Sequence, residues 1–154
     1  MRKVAIAVAL TLAFVGWHGS SEAGADSGDI LVVANKAFGA ATVSREELRP
    51  VYQTTKSQWA DGSKAEPLNL AEDSPIRQGF DAAVLGLDPD RVARFWVDRK
   101  IRGGERPPRK VTSASAVLRA VAGDKGTIGY VSAADVNNTV KVVAKIHNGQ
   151  VMAP

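Results

Sequence analysis

The 154-residue sequence contains no cysteine, and only two histidines and two methionines. Without cysteine the fold takes nothing from disulfides, no thiolate nucleophile is available, and neither a Cys-ligated metal nor a lipid anchor on an N-terminal cysteine can form. Histidine is as scarce where it matters. Outside the N-terminal leader there is one, His147, in a polar turn, whereas a Ser-His-Asp arrangement needs a histidine buried beside its nucleophile, and no G-x-S-x-G elbow is present. Aromatics make up 6% of the chain. None lies in the most basic stretch, residues 99–110, so the alternation of cations and stacking rings that marks a nucleic-acid platform is missing. There is no Walker loop and no dinucleotide fingerprint. The paired acids Asp88/Asp90 and Glu46/Glu47 read as helix-end charges that complement the dipole, which leaves no metal site. The sequence therefore predicts a non-enzyme with no cofactor, no metal, no catalytic residues and no nucleic-acid partner.

Long hydrophobic runs are also lacking, with one exception. Residues 4–15 are apolar apart from Thr11, follow Arg2 and Lys3, and precede Ala23-Gly24-Ala25. Twelve residues are too few to span a bilayer, and the pattern is that of a cleaved signal peptide over residues 1–25. The expectation is an exported chain, residues 26–154, soluble after cleavage with no membrane insertion, and periplasmic in a Gram-negative host. Removing Arg2, Lys3 and Glu22 from 20 basic and 16 acidic side chains leaves 18 and 15, a net charge of +3. That balance demands no polyanionic partner.

What is present is strong punctuation. Residues 113–131 read as a helix and then a strand. Ser113 or Ser115 caps the helix, Ala114, Val117, Leu118 and Val121 form its apolar stripe, and Gly123 is expected to close it in a left-handed conformation. The β-rich run Thr127-Ile128-Gly129-Tyr130-Val131 follows, its glycine allowing close approach of another backbone or a ligand. Earlier, Ile30-Leu31-Val32-Val33-Ala34 suits a strand buried on both faces. Ser44-Arg45-Glu46-Glu47 is a capping box opening a helix that Pro50 keeps short. Trp59-Ala60-Asp61-Gly62 reads as a tight turn, and residues 65–70 as a strand that Pro67 places at an edge or gives an irregular start. Ser74-Pro75 and Asp88-Pro89 each open a helix, the second turning Val92, Phe95 and Trp96 inward. Residues 99–110, with six cations against Glu105, read as an exposed loop, and residues 140–146 as the last strand. Alternating strands and helices give an α/β class with a mixed or mainly parallel sheet.

A helix N-terminus offers free N–H groups and partial positive charge. Ser74 opens such a helix with Arg77 one turn in, although Glu72 and Asp73 would compete with an anion for the same donors.

In order along residues 30–131, these pieces resemble the phosphate-type periplasmic substrate-binding proteins of ABC transporters, and more narrowly their short relatives of the type 2 periplasmic-binding fold. Leu31-Val32-Val33-Ala34-Asn35 resembles the entering strand. Ser44-Arg45-Glu46-Glu47-Leu48 with Val51-Tyr52 resembles the LS-x-E-x-L-x-x-I-F helix, and Trp59-Ala60-Asp61-Gly62 the W-x-D-G turn. Phe80 with Val84-Leu85-Gly86 and then Phe95-Trp96 are similar to the next two helices. Arg102-Gly103-Gly104 with Pro107-Pro108 resembles the F-x-G-x-G-x-x-P-P loop, and Gly126-Thr127-Ile128-Gly129-Tyr130-Val131 the G-A-I-G-Y-V strand. Full-length members clamp their anion between two lobes, and 129 residues supply about one. The resemblance thus implies a single α/β lobe, its mixed, mainly parallel sheet flanked by helices, that binds phosphate or a similar small anion. The family's R-x-D-G-S-G-T is here Leu70-Ala71-Glu72-Asp73-Ser74-Pro75-Ile76, from which only Ser74 carries over, and the G-x-G-N motif around Gly103-Gly104 is incomplete. Such sheets bind at their C-terminal edge, and the candidate ligand residues are Asn35, Ser74, Arg77, Arg102 and Gly103. A second reading is a protein-interaction module that has lost its ligand, with a protein partner or a homodimer in which a second copy replaces the other lobe. A third is an enzyme working through His147.

Overall fold

The computed structural model describes residues 28–154, so the expected signal peptide lies outside the described residues. The order of elements is β1 (Ile30–Ala34), α1 (Arg45–Tyr52), β2 (Glu66–Asn69), α2 (Pro75–Val84), α3 (Pro89–Ile101), β3 (Arg109–Lys110), α4 (Ala114–Gly123), β4 (Thr127–Ser132), β5 (Lys141–His147) and β6 (Gln150–Met152). The six strands form one sheet in the order β3-β2-β4-β1-β5-β6. The α/β class and the mixed sheet are those the alternation predicts. β2 to β5 all point one way, but β1 runs against both of its neighbours and β6 against β5, so most pairings are antiparallel. The expected majority of parallel strand directions holds, while the pairings depart from it because β1 is inserted in reverse at the centre. The β5–β6 hairpin was not legible as two strands. Asn148 and Gly149, at φ 49° and 74°, supply the two positive-φ residues that a tight antiparallel hairpin needs.

The apolar pattern of β4 sets the layers. Successive strand residues face opposite sides. Tyr130 faces α1 and α2, its ring stacked on Phe80 at 3.9 Å between centroids, and Tyr52 packs on Phe80 at 4.5 Å. Gly129 faces α4, where an added Cβ would lie 2.5 Å from Val117 Cγ1. The glycine expected to admit a backbone or ligand therefore admits a helix. The core runs through both layers, with Val32, Val33, Val121, Val131 and Phe80 wholly inaccessible.

Helix ends follow the sequence closely at their starts. Ser44 and Glu47 form the reciprocal capping box, and Ser74, Asp88 and Ser113 each accept a hydrogen bond from the third helical amide. The ends are less legible. Gly123 is not left-handed but the last residue of α4. The open carbonyls of Val121 and Ala122 are met instead by Asn35, whose Nδ2 donates to both at 2.9 and 2.8 Å. A side chain 86 residues away does what the glycine was expected to do. α3 also runs on through Arg99–Ile101, and Arg109–Lys110 join the sheet beside β2, so the loop between them is shorter than its composition predicts. Of the three residues expected to face inward from α3, Val92 is fully buried and Phe95 and Trp96 only half-buried.

Candidate functional site

The C-terminal ends of β2 and β3 and the helix α2 that follows β2 converge on one edge of the sheet. The backbone there is locked by a buried relay. The Leu70 amide donates to Tyr130 Oη at 3.3 Å, so the hydroxyl must give its own proton to Asn69 Oδ1, at 3.1 Å. The Leu70 carbonyl accepts from Arg77 Nη1 at 2.9 Å, and Arg77 Nε donates to Asp81 Oδ2 at 3.2 Å, one helical turn along α2. Asn69, Arg77 and Asp81 are 4%, 5% and 6% exposed. Burial raises the Asp81 carboxyl above its ordinary value, and Arg77 beside it pulls the other way without cancelling the effect. Burial also raises the Tyr130 phenol, which stays protonated and able to donate.

These three residues line a cavity of about 450 Å³. Its walls are apolar, from Val92 and Trp96 of α3 and Pro107 and Pro108 of the loop that returns to β3. Glu72, Gln78 and Lys110, with Pro89 and Ala93 of α3, complete the lining. A volume of this size with apolar walls and a few convergent polar groups is the usual form of a small-molecule site. Its position beyond the carboxyl ends of β2 and β3 is where open α/β sheets bind ligands.

The five sequence-predicted residues do not meet here. Arg77 lines the cavity, although much of its guanidinium is spent on Asp81 and Leu70. Ser74 caps the helix that carries it, its hydroxyl accepting from the Arg77 amide at 3.5 Å. Arg102 and Gly103 terminate α3 and are exposed, outside the cavity lining. Asn35 is at the opposite edge. It follows Ala34, which pairs with Ile128, whereas Leu70 lies level with the far end of β4. Four residues of strand, about 13 Å, separate the two levels. Asn35 lies away from the cavity because β1 runs in reverse, so the residue after it emerges at the other edge. Sequence reasoning missed Asn69, Asp81, Trp96 and the two prolines. The one available signal was the i, i+4 spacing of Arg77 and Asp81, opposite charges on what reads as a buried helix face.

His147 stands apart from the cavity. Its Nδ1 hydrogen-bonds Asp29, which also pairs with Lys145 at 3.2 Å. The His147 bond, with Lys145, holds the Asp29 carboxyl below its ordinary value. No nucleophile is joined to this exposed cluster among the described residues. No helix among the described residues is long and apolar enough to cross a membrane.

No family model and no curated protein matches the sequence. Solved structures do match the fold. An ABC-type phosphate transport receptor from Vibrio cholerae superposes with a TM-score of 0.60 at 18% identity, over 77% of this chain and 47% of its own. A Clostridium perfringens protein with bound phosphate, assigned to the phosphate ABC transporter substrate-binding proteins, gives 0.61 at 15% identity, over 81% and 48%. PstS from Borrelia burgdorferi gives 0.58 at 13%, over 75% and 47%. The chain spans just under half the length of these structures. Its fold is that of a single lobe of the phosphate-type binding proteins, as the order of motifs implied.

Proposed function

We propose that this chain is an exported, non-enzymatic binding domain of the substrate-binding-protein type, which holds a small ligand by its anionic group, phosphate or a similar anion being the simplest case, in the cavity between α2, α3 and β3. The observation that carries the reading is the cavity itself, set at the C-terminal edge of the sheet with the buried Arg77 guanidinium in its wall. Structures of the same fold are described as phosphate receptors, and one contains phosphate, which supports a small anion as ligand class. The signal-peptide pattern of residues 1–25 supports export to the periplasm. Titration calorimetry with phosphate, sulfate and molybdate tests the reading for simple anions. Heat with any of them supports it, and its loss in a Trp96→Ala variant places the anion in this cavity.

A second reading is an interaction module, and a specific observation favours it. On α3, Val97 and Ile101 are 56% and 78% exposed, flanked along the chain by the exposed Arg94, Asp98, Lys100 and Arg102. Apolar side chains left open in a basic surround suit a protein partner or a second copy. Light scattering across a range of concentrations addresses the dimer. A monomer at all of them removes the homodimer form of this reading.

A further inference from the structure

We propose that the cavity takes a zwitterionic amino acid with an apolar side chain, the carboxylate seated on Asn69 and Arg77 and the ammonium on Asp81. This rests on the reading of the cavity as the ligand seat and specifies what the ligand's anionic group is attached to.

The charges of the lining argue against a bare polyanion. Arg77 and Lys110 are balanced by Glu72 and Asp81, so the cavity has no net positive charge to offer phosphate. A ligand that is itself neutral overall but carries one charge of each sign matches such a lining. The unused hydrogen-bonding positions point the same way. Because Tyr130 donates to Asn69 Oδ1, the Asn69 amide is oriented, and its Nδ2 has no partner among the described residues. Arg77 spends Nε and Nη1 but not Nη2, and Asp81 spends Oδ2 but not Oδ1, again among the described residues. Three side chains more than nine-tenths buried, all lining one cavity, thus retain two donors and one acceptor. None of these three atoms is both sealed from solvent and unpartnered, so water meets them in the open cavity until a ligand that pairs them takes its place.

The Arg77–Asp81 pair brings opposite charges within 3.2 Å. The carboxylate and ammonium of an α-amino acid sit on one carbon, so they can lie across this pair with reversed polarity, each beside its opposite. Charge-assisted bonds of this kind are about twice as strong as neutral ones. The remaining volume is walled by Val92, Trp96, Pro107 and Pro108, which fits a hydrocarbon or aromatic side chain and provides an indole for stacking.

The test is calorimetry on the secreted, processed chain with L-phenylalanine, L-leucine, L-phenylalaninamide, N-acetyl-L-phenylalanine and inorganic phosphate. The expected result is binding of phenylalanine or leucine. The amide, which lacks the carboxylate, and the N-acetyl compound, which lacks the ammonium, should each bind at least tenfold more weakly. Trp96→Ala, a change on a half-buried wall that leaves the relay intact, should cost a further tenfold. Asp81→Asn should weaken phenylalanine more than it weakens the N-acetyl compound. Binding of phosphate without binding of either amino acid overturns the zwitterion and leaves the anion reading standing. Binding of all three phenylalanine compounds alike overturns it too. No heat with any compound removes the cavity as a ligand seat altogether.

Discussion

The two edges of the sheet use the same kinds of residue for opposite ends. At the edge where β1 finishes and β4 starts, polar groups close the backbone. Asn35 caps α4, Trp59 Nε1 donates to the Gly126 carbonyl at 3.1 Å, and the Asp61 carboxylate accepts from the Ser63 hydroxyl and amide at 2.6 and 3.0 Å. Each of these polar groups is spent on the fold itself. At the other edge the relay through Leu70, Tyr130, Asn69, Arg77 and Asp81 is just as buried but incomplete, with unused donors and an acceptor in a cavity. One edge spends its polar groups on the fold itself, whereas the other keeps spare donors and an acceptor on residues that line a cavity.

The sharpest way to break this contrast is at Arg77. Arg77→Met leaves Asp81 buried without its partner, which typically costs about 3–5 kcal/mol. Urea unfolding should show that loss, and the double variant Arg77→Met/Asp81→Leu should recover most of it. Recovery would show that the pair is dispensable for folding and is held for another reason. A double variant as unstable as the single one would make this edge structural like the other. At the opposite edge, Gly126→Ala should cost about 2–3 kcal/mol, because the new Cβ would fall 1.9 Å from the Lys64 carbonyl oxygen and backbone must shift. A neutral Gly126→Ala in the same unfolding assay would refute that close approach.

The edges should also differ in the sign of their pH response. Burial raises Asp81. A raised folded-state pKa means the native protein holds the proton more tightly than the unfolded chain does. The Asp81 contribution is then greatest below the unfolded-state value of about 4 and is lost as pH rises through the folded value. Asp61 is the reverse, lowered to about 2 by its bonds from Ser63 and by Lys125. Its contribution is present above about 4 and is lost as pH falls toward 2. Midpoints of urea unfolding between pH 2 and 7 should therefore respond oppositely. Asp81→Asn removes a component that declines with rising pH, and Asp61→Asn removes one that grows. Equal and parallel responses would erase the distinction.

The smallest effect expected is a gain. Thr54 follows the C-cap of α1 at φ 54°, a left-handed position that a β-branched residue occupies at a cost, and its buried Oγ1 has no partner among the described residues. Thr54→Gly should stabilise the protein by about 1 kcal/mol in the same unfolding assay. A loss of stability would mean the side chain contributes packing that outweighs its strain.

Local chemistry was legible in the sequence and distant chemistry was not. Ser44, Ser74, Asp88 and Ser113 announce their helices because a cap depends on residues three positions away. The Trp59–Gly62 turn was legible for the same reason, with the Gly62 amide donating to the Trp59 carbonyl at 3.0 Å. The end of α4 was misread because Asn35, not Gly123, satisfies it, and nothing near residue 123 reveals that partner. That Asn35 stands apart from the cavity was not legible, because the direction of β1 is decided by pairing with β4 and β5, not by its own five residues. Trp96 was assigned to the core because a helical stripe does not show whether its outer neighbour is protein or a cavity. The order of motifs gave the lobe, since it depends on the whole chain. The cavity depends on how α3 and the 102–108 loop lean on α2, which no local pattern specifies.

The central claim, that one edge is built to receive a ligand and the other to close the fold, is tested most directly by amide and side-chain NMR during titration with L-phenylalanine and, separately, with phosphate. The account predicts shifts clustered on the Asn69 side-chain amide, the Arg77 Nε–H and the Trp96 indole, with Asn35 and Trp59 unmoved. Shifts centred on Asn35 and Trp59, with Asn69 and Trp96 silent, would contradict it.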